Sequence, residues 1–164
     1  MSWRKREAEK SKFNFYMTLL VGVLVLFVII DIMMVPSIFF GSNSTVNIPI
    51  IDVNMWPYHF WIMGVLFYSM VTIVAVSYWK HTSNKKGAIV IMIIGAIFSL
   101  FLVEDFLYFA LQGQAQPDIW TWLYYSPVAG GAPITGDAVT VVALTGIAFC
   151  LILYYSYIKR KRLD

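Results

Sequence analysis

Four long apolar runs constrain the fold of this chain more than any other feature of its sequence. They cover approximately residues 15–40, 56–79, 88–111 and 137–158. A bilayer core about 30 Å thick requires about 20 residues of helix to cross it, and each run is that long. Open strands are excluded, because lipid offers no hydrogen-bond partner to their edges. We therefore predict an all-α fold, a four-helix transmembrane bundle with antiparallel neighbours, as one integral membrane domain over residues 1–164.

The amino-acid composition also indicates a protein that is surrounded by lipid. Hydrophobic residues make up 60% of the chain and charged residues 13%, whereas a soluble domain has roughly 45–50% and about 25%. The single cysteine, Cys150, excludes a disulfide framework and a cysteine metal site. The first run is longer than the roughly 7–15 apolar residues of a signal peptide, so we expect it to be retained as a span. Pro36 is expected to kink or end that span near Val35.

Basic residues are confined to segments that would lie on one side of the membrane. Of the twelve Lys and Arg, five precede the first run, three lie between the second and third runs, and four follow the fourth. Positively charged loops stay in the cytoplasm. We therefore predict cytoplasmic termini and a multi-pass protein of the plasma membrane. Because these residues flank apolar spans, they indicate contact with the lipid bilayer and not binding to nucleic acid.

Acidic residues follow the opposite distribution. Asp31 and Glu104 each lie about 16 residues along their spans from the cytoplasmic side, a distance of ~24 Å at 1.5 Å per residue. His59 and Asp137 lie at the outer ends of the second and fourth runs. Ionisable groups inside a membrane are costly and indicate a functional site by default. Six of the nine acids lie toward this outer side: Asp31, Asp52, Glu104, Asp105, Asp118 and Asp137.

These groups predict a polar site near the extracytoplasmic face, and a metal ion is one candidate ligand. Glu104 and Asp105 rank first as site residues, His59 second and Asp31 third, and Asp137 completes the set. Carboxylates and imidazole suit iron, manganese or zinc. No metal-binding spacing such as H-E-x-x-H is present. Soft ligands for copper are available in four methionines near this zone: Met33, Met34, Met55 and Met63.

A proton is the second candidate ligand, and a structural role is the alternative to both. Crowded carboxylates repel each other, which favours binding of a proton, and His59 could relay protons to them. Tyr108 lies four residues after Glu104 on the same helix face and is a candidate hydrogen-bond partner. In the structural alternative, the acids bind helix N-termini, tyrosine hydroxyls or a basic patch on a partner subunit. Asp137, which follows Gly136, is then expected to be a helix N-cap.

The third run contains the sequence VEDFLYF at residues 103–109. This sequence resembles a motif, E-D-[FW]-L-[WY]-F, of small multi-span prokaryotic membrane proteins. The chain departs from that pattern at residues 110–112, where ALQ follows in place of an Asn-Pro. The resemblance implies a prokaryotic membrane protein and no particular activity. It does give further weight to Glu104 and Asp105.

The sequence thus predicts a small integral membrane protein with a carboxylate and histidine site that binds a metal ion or a proton. No catalytic motif is present, so the sequence leaves open whether the protein is an enzyme. The alternative is a non-catalytic accessory subunit of a larger membrane complex, or a homo-oligomer. That alternative is favoured by the cytoplasmic segments, which are too short for a soluble catalytic domain.

Overall fold

A computed structural model describes residues 3–38, 46–48, 53–55, 64–120 and 134–163. The described part is mostly helical and belongs to the all-α class. Its elements, in chain order, are α1 (Trp3–Ile38), β1 (Val46–Ile48), β2 (Val53–Met55), α2 (Tyr68–Thr82), α3 (Lys85–Leu100), α4 (Val103–Gln112), β3 (Ile119–Trp120), β4 (Ile134–Thr135) and α5 (Gly136–Leu163).

Two of the described helices are long and apolar enough to cross a membrane, over Glu7–Met33 and Gly136–Lys159. A third span is added if α3 and α4 cross the membrane together. These helices correspond to the first, third and fourth predicted runs. The second run, 56–79, is described only from residue 64, and its helix continues to Thr82. The described residues therefore provide two or three candidate spans of the four predicted.

The first predicted run is part of a longer helix. α1 begins at Trp3 in the basic segment and ends at Ile38. Pro36 therefore does not end the helix near Val35, and a kink at Pro36 stays a prediction. The early start follows from the Lys, Arg and Glu residues of that segment, which are good helix formers. The helix continues for only two residues beyond Pro36, in keeping with the hydrogen bond and the space that a proline takes from the preceding turn.

The third predicted run, 88–111, is broken. α3 ends at Leu100 and α4 begins at Val103, with a bend of 63° between them. Leu102 has φ of 55°, in the left-handed region, and its carbonyl accepts the first hydrogen bond of α4 from Phe106 N. The Leu102 side chain is buried against Val139 of α5. This contact compensates for a backbone conformation that non-glycine residues rarely adopt, and apolar spacing alone does not reveal it.

The connecting segments contain short antiparallel strand pairs. β1 pairs with β2 through Val46 opposite Met55, and β3 pairs with β4 through Ile119 opposite Thr135. The second pair returns the chain to the start of α5, where Gly136 N donates a hydrogen bond to the carbonyl of Asp118. Between the second and third predicted runs, α2 and α3 extend from both sides, so that only residues 83–84 separate the two helices.

One end of the bundle holds the first part of α1, the α2–α3 turn and the last part of α5. The Phe13 ring lies 5.6 Å from the Tyr78 ring of α2 and 4.3 Å from the Tyr157 ring of α5. The Tyr16 hydroxyl forms a hydrogen bond with Nδ1 of His81, in the last turn of α2. α1 and α2 are therefore antiparallel. This end is termed the basic end, because all twelve Lys and Arg lie in its segments, residues 4–12, 80–86 and 159–162.

The core is formed where α1 packs against α2 and α3. The buried positions of α1 recur every three or four residues, which places them on one face of the helix. On its other faces, α1 exposes large apolar side chains such as Leu19 and Leu26. A helix that is apolar on every face is typical of a membrane span. The buried α1 residues are Phe13, Tyr16, Leu20, Val23, Leu24, Phe27, Val28 and Asp31.

Asn84 joins three helices at the basic end. Its Oδ1 accepts a hydrogen bond from Gly87 N at 3.1 Å, which caps the N-terminus of α3. Its Nδ2 donates to the hydroxyl of Tyr157 at 2.7 Å and to the hydroxyl of Tyr78 at 3.3 Å. The two tyrosine hydroxyls lie 3.2 Å apart. One side chain therefore caps α3 and also links it to α2 and α5.

Asn84→Ala is expected to lower the free energy of unfolding by about 1–2 kcal/mol, the usual cost of losing a helix N-cap. The hydroxyls of Tyr78 and Tyr157 lose a hydrogen-bond donor in the same substitution. Chemical unfolding in detergent micelles measures the change. Gln114→Ala is the control, since the Gln114 side chain is exposed. Equal stability of the two variants would contradict the assigned role of Asn84.

Candidate functional site

Two carboxyl side chains meet inside the bundle, away from the basic end. Asp31, near the end of α1, is 6% exposed, and Glu104, in the first turn of α4, is 4% exposed. The two side chains lie within hydrogen-bonding reach of each other. Asp31 Oδ1 and Glu104 Oε1 are buried and have no hydrogen-bond partner among the described residues. The pair is therefore a buried polar site, shielded from the surroundings.

Helical spacing accounts for the burial of Asp31. It follows Phe27 by four residues and Val28 by three, so it continues the buried face of α1. Phe27 and Val28 are 1% and 0% exposed. A carboxyl group on this face is enclosed by the bundle and needs a partner there.

The break between α3 and α4 accounts for the position of Glu104. α4 restarts after Leu102, and its buried residues are Val103 and Glu104, the first two of the helix. α4 packs against α1. The bend at Leu102 thus directs the first turn of α4 toward Asp31.

Asp105 completes an acidic cluster with the pair. It is half-buried, its carboxylate accepts a hydrogen bond from its own backbone N–H, and it interacts electrostatically with Asp31 and Glu104. The N-terminus of a helix carries a partial positive charge that favours acidic groups in its first turn. That effect explains Asp105 as a helix-terminal residue. It leaves the unpartnered oxygens of Asp31 and Glu104 unexplained.

Tyr108 shares α4 with Glu104, as its spacing predicts. Its ring packs edge-to-face on Phe109, with the centroids 5.0 Å apart. Its backbone carbonyl accepts a hydrogen bond from Gln112 Nε2 at 3.3 Å. The described residues include no hydrogen bond between the Tyr108 hydroxyl and Glu104. The proposed partnership of Tyr108 with Glu104 therefore stays a prediction.

The environment of Asp137 differs from that of the acidic cluster. Its side chain is exposed, and it occupies the first turn of α5. The N-cap role expected of it is performed by Thr135, whose Oγ1 accepts a hydrogen bond from Ala138 N at 3.2 Å. The expectation failed because α5 begins at Gly136, one residue earlier than the apolar run. Asp118 is also exposed.

Other predicted site residues fall outside what the structure describes. His59 and Asp52 lie outside the described residues, as does Met63, and the side chains of Met34 and Met55 are not described. Met33 is 73% exposed. Within residues 3–38, 46–48, 53–55, 64–120 and 134–163, no group of three or more His, Cys, Asp or Glu is arranged to hold a metal ion.

Sequence reasoning missed a second polar region, at the basic end. His81 lies in the last turn of α2, and its exposed side chain forms a hydrogen bond with the Tyr16 hydroxyl. Nearby, the Tyr154 hydroxyl donates to Asn14 Oδ1 at 2.9 Å, joining α5 to α1. The sequence did contain a signal for this region. Tyr16 follows Phe13 by three residues, so the two share a helix face, and Tyr16 could have been placed on the buried face of α1.

The comparisons with known proteins assign no family. No protein-family profile, no curated protein and no solved structure matches the chain. The functional argument therefore depends on the geometry of the carboxyl pair and on the distribution of charge.

Proposed function

We propose that the protein is a multi-pass plasma-membrane protein in which Asp31 and Glu104 form a proton-binding site near the extracytoplasmic face. The observation that carries the proposal is the contact between two buried carboxyl groups. Two carboxylates have no hydrogen to donate to each other, so a hydrogen bond between them requires a proton on one of them. A buried pair of this kind is suited to bind and release one proton.

The charge distribution supports the orientation. The basic end carries every Lys and Arg of the chain. By the positive-inside rule this end faces the cytoplasm, together with the first part of α1 and the last part of α5. Asp31 follows Tyr16 by 15 residues, or ~22 Å along the helix axis. The carboxyl pair then lies toward the extracytoplasmic side.

The apolar residues on the buried face of α1 favour a proton-binding site over a proton channel. Between Tyr16 and Asp31, the buried residues of this face are all apolar: Leu20, Val23, Leu24, Phe27 and Val28. Protons move through proteins along chains of polar or titratable groups. The described part of α1 offers no such chain toward the Tyr16–His81 contact. Proton binding from the extracytoplasmic side is the function that this arrangement supports best.

A metal ion is the second candidate, and the unpartnered oxygens favour it. Asp31 Oδ1 and Glu104 Oε1 are oxygen ligands of the kind that hard cations prefer. A metal ion bound by these atoms would need further donors from outside the described residues. His59 and Asp52 are the candidates for that role.

Infrared spectroscopy of the protein in lipid vesicles at neutral pH tests the proposal. We expect the carbonyl stretching band of one protonated carboxyl group, shifted by exchange into heavy water, for each protein molecule. Glu104→Gln and Asp31→Asn are each expected to remove the band, because either substitution removes one member of the pair. Asp137→Asn is the matched control, since Asp137 is exposed, and we expect it to keep the band.

Three results would overturn the proposal. The first is the absence of a protonated carboxyl band in the wild-type protein. The second is a band that survives both Glu104→Gln and Asp31→Asn. The third is a bound metal ion, found by elemental analysis of the purified protein and lost in Glu104→Gln and in His59→Ala, which would replace the proton with a metal. If the protein binds neither a proton nor a metal ion at this pair and co-purifies with larger subunits, it is an accessory subunit of a membrane complex.

A further inference from the structure

An apolar groove separates α1 from α5 along the side of the bundle. Its volume is about 620 Å³, within the usual range for small-molecule sites, roughly 300–1,000 Å³. Val21 and Leu24 of α1 form one wall, Ile147 and Leu151 of α5 form the other, and Cys150 lines the groove beside Leu151. Apolar side chains predominate in this lining, which suits a hydrocarbon ligand.

The polar part of the groove lies toward the basic end. Asn14 and Tyr154 both line it, and their hydrogen bond at 2.9 Å connects the two walls. Thr18 lines it one turn further along α1. The groove therefore changes along its length from polar to apolar, as an amphiphile does.

The wall that α1 contributes is about as long as one leaflet of the bilayer. The groove is also lined by Ile94 and Phe98 of α3 and by Val103 and Leu107 of α4. Along α1 it extends from Asn14 to Leu24, ten residues or ~15 Å at 1.5 Å per residue. Half of a hydrocarbon core of ~30 Å is ~15 Å, the depth that one acyl chain fills. A membrane-spanning helix of a second copy would need a groove about twice as long. The length thus favours an acyl chain over a partner helix.

The charges at the polar end favour an anionic headgroup. Lys10 is four residues before Asn14, so it lies one turn further out on the same face of α1. The flanking segments, residues 3–12 and 159–162, together contain nine Lys and Arg against two Glu. Juxtamembrane basic residues attract anionic lipids. A phosphate group at Lys10 and an acyl chain beside Leu151 are what one phospholipid molecule provides.

We propose that the groove between α1 and α5 binds one acyl chain of an anionic phospholipid, with its headgroup at Lys10. Neither Asp31 nor Glu104 lines the groove, although Val103, the residue before Glu104 in α4, does. The bound lipid fills the space between the two longest helices and connects them where their side chains do not meet.

Native mass spectrometry of the purified protein tests the proposal after equilibration with mixed vesicles of phosphatidylglycerol and phosphatidylcholine. The wild-type protein is expected to retain one phosphatidylglycerol. Leu151→Trp fills the groove from α5 and Val21→Trp fills it from α1, and each is expected to lose the lipid. Leu144→Trp is the matched control, because Leu144 is on the same helix and is 52% exposed, against 51% for Leu151, but lies outside the groove. It is expected to retain the lipid.

The headgroup is tested separately. Lys10→Gln is expected to lower the preference for phosphatidylglycerol over phosphatidylcholine about fivefold, the effect of one juxtamembrane charge. Lys86→Gln, in the first turn of α3, is the control and is expected to leave the preference unchanged. Equal lipid retention by Leu151→Trp and Leu144→Trp, or a lipid-free dimer in place of the lipid complex, would overturn the proposal. Equal wild-type affinity for the two lipids would refute the anionic headgroup.

Discussion

Phe13→Ala is expected to lower the free energy of unfolding by about 3–5 kcal/mol, the usual cost of removing a buried aromatic ring. Phe13 is 0% exposed. Its ring contacts three others, at centroid distances of 5.6 Å to Tyr78, 6.0 Å to Tyr154 and 4.3 Å to Tyr157. These tyrosines belong to α2 and α5. A cavity at Phe13 therefore removes contacts that connect α1 with two other helices.

The matched control for Phe13→Ala is Phe15→Ala. Phe15 lies two residues further along the same helix and is 64% exposed, so its loss creates no cavity. We expect this substitution to change the free energy of unfolding by less than about 0.5 kcal/mol, as is usual at surface positions. Unfolding in detergent micelles, followed by circular dichroism, measures both variants. If the two substitutions had similar effects, the aromatic cluster at the basic end would not hold the helices together.

Apolar length was sufficient to locate helices, but it did not locate the break at residues 101–102. The run at 137–158 corresponds closely to α5, because nothing interrupts the helix there. The run at 88–111 contains no proline, and Gly95 lies within α3. The break depends on the burial of Leu102 against Val139, a contact between residues far apart in the sequence. Local patterns carry no information about such a contact.

Counting residues from the basic segments predicted that Asp31 and Glu104 lie at one level of the bundle, and their side chains do lie close together. Whether two residues at one level also face each other depends on how the helices are rotated. For Asp31, the rotation was already present in the sequence, because Phe27 and Asp31 share a helix face. For Asp137, the level gave no information about exposure, and its side chain is exposed. Helix rotation is fixed by packing, which a single sequence does not specify.

Gly95→Leu is expected to separate α3 from α2 and to destabilise the fold by about 1–3 kcal/mol, the usual cost of overpacking. Gly95 is buried, and a Cβ atom at this position would lie well inside van der Waals contact of Val71 Cγ1 and 3.0 Å from Val71 Cγ2. Glycine at a helix interface allows close backbone approach. Gly22→Leu is the control, because nothing lies within 4 Å of a Cβ atom at that glycine.

The same substitution is expected to affect the carboxyl pair, although Gly95 does not touch it. α4 continues from α3 after two residues, so a displacement of α3 moves Glu104 relative to Asp31. We therefore expect Gly95→Leu to weaken or remove the infrared band of the protonated carboxyl group, and Gly22→Leu to preserve it. A destabilised Gly95→Leu protein with an unchanged band would mean that α4 is positioned by its own contacts with α1 and α5. Loss of both stability and band would show that the packing of α2 on α3 positions the site.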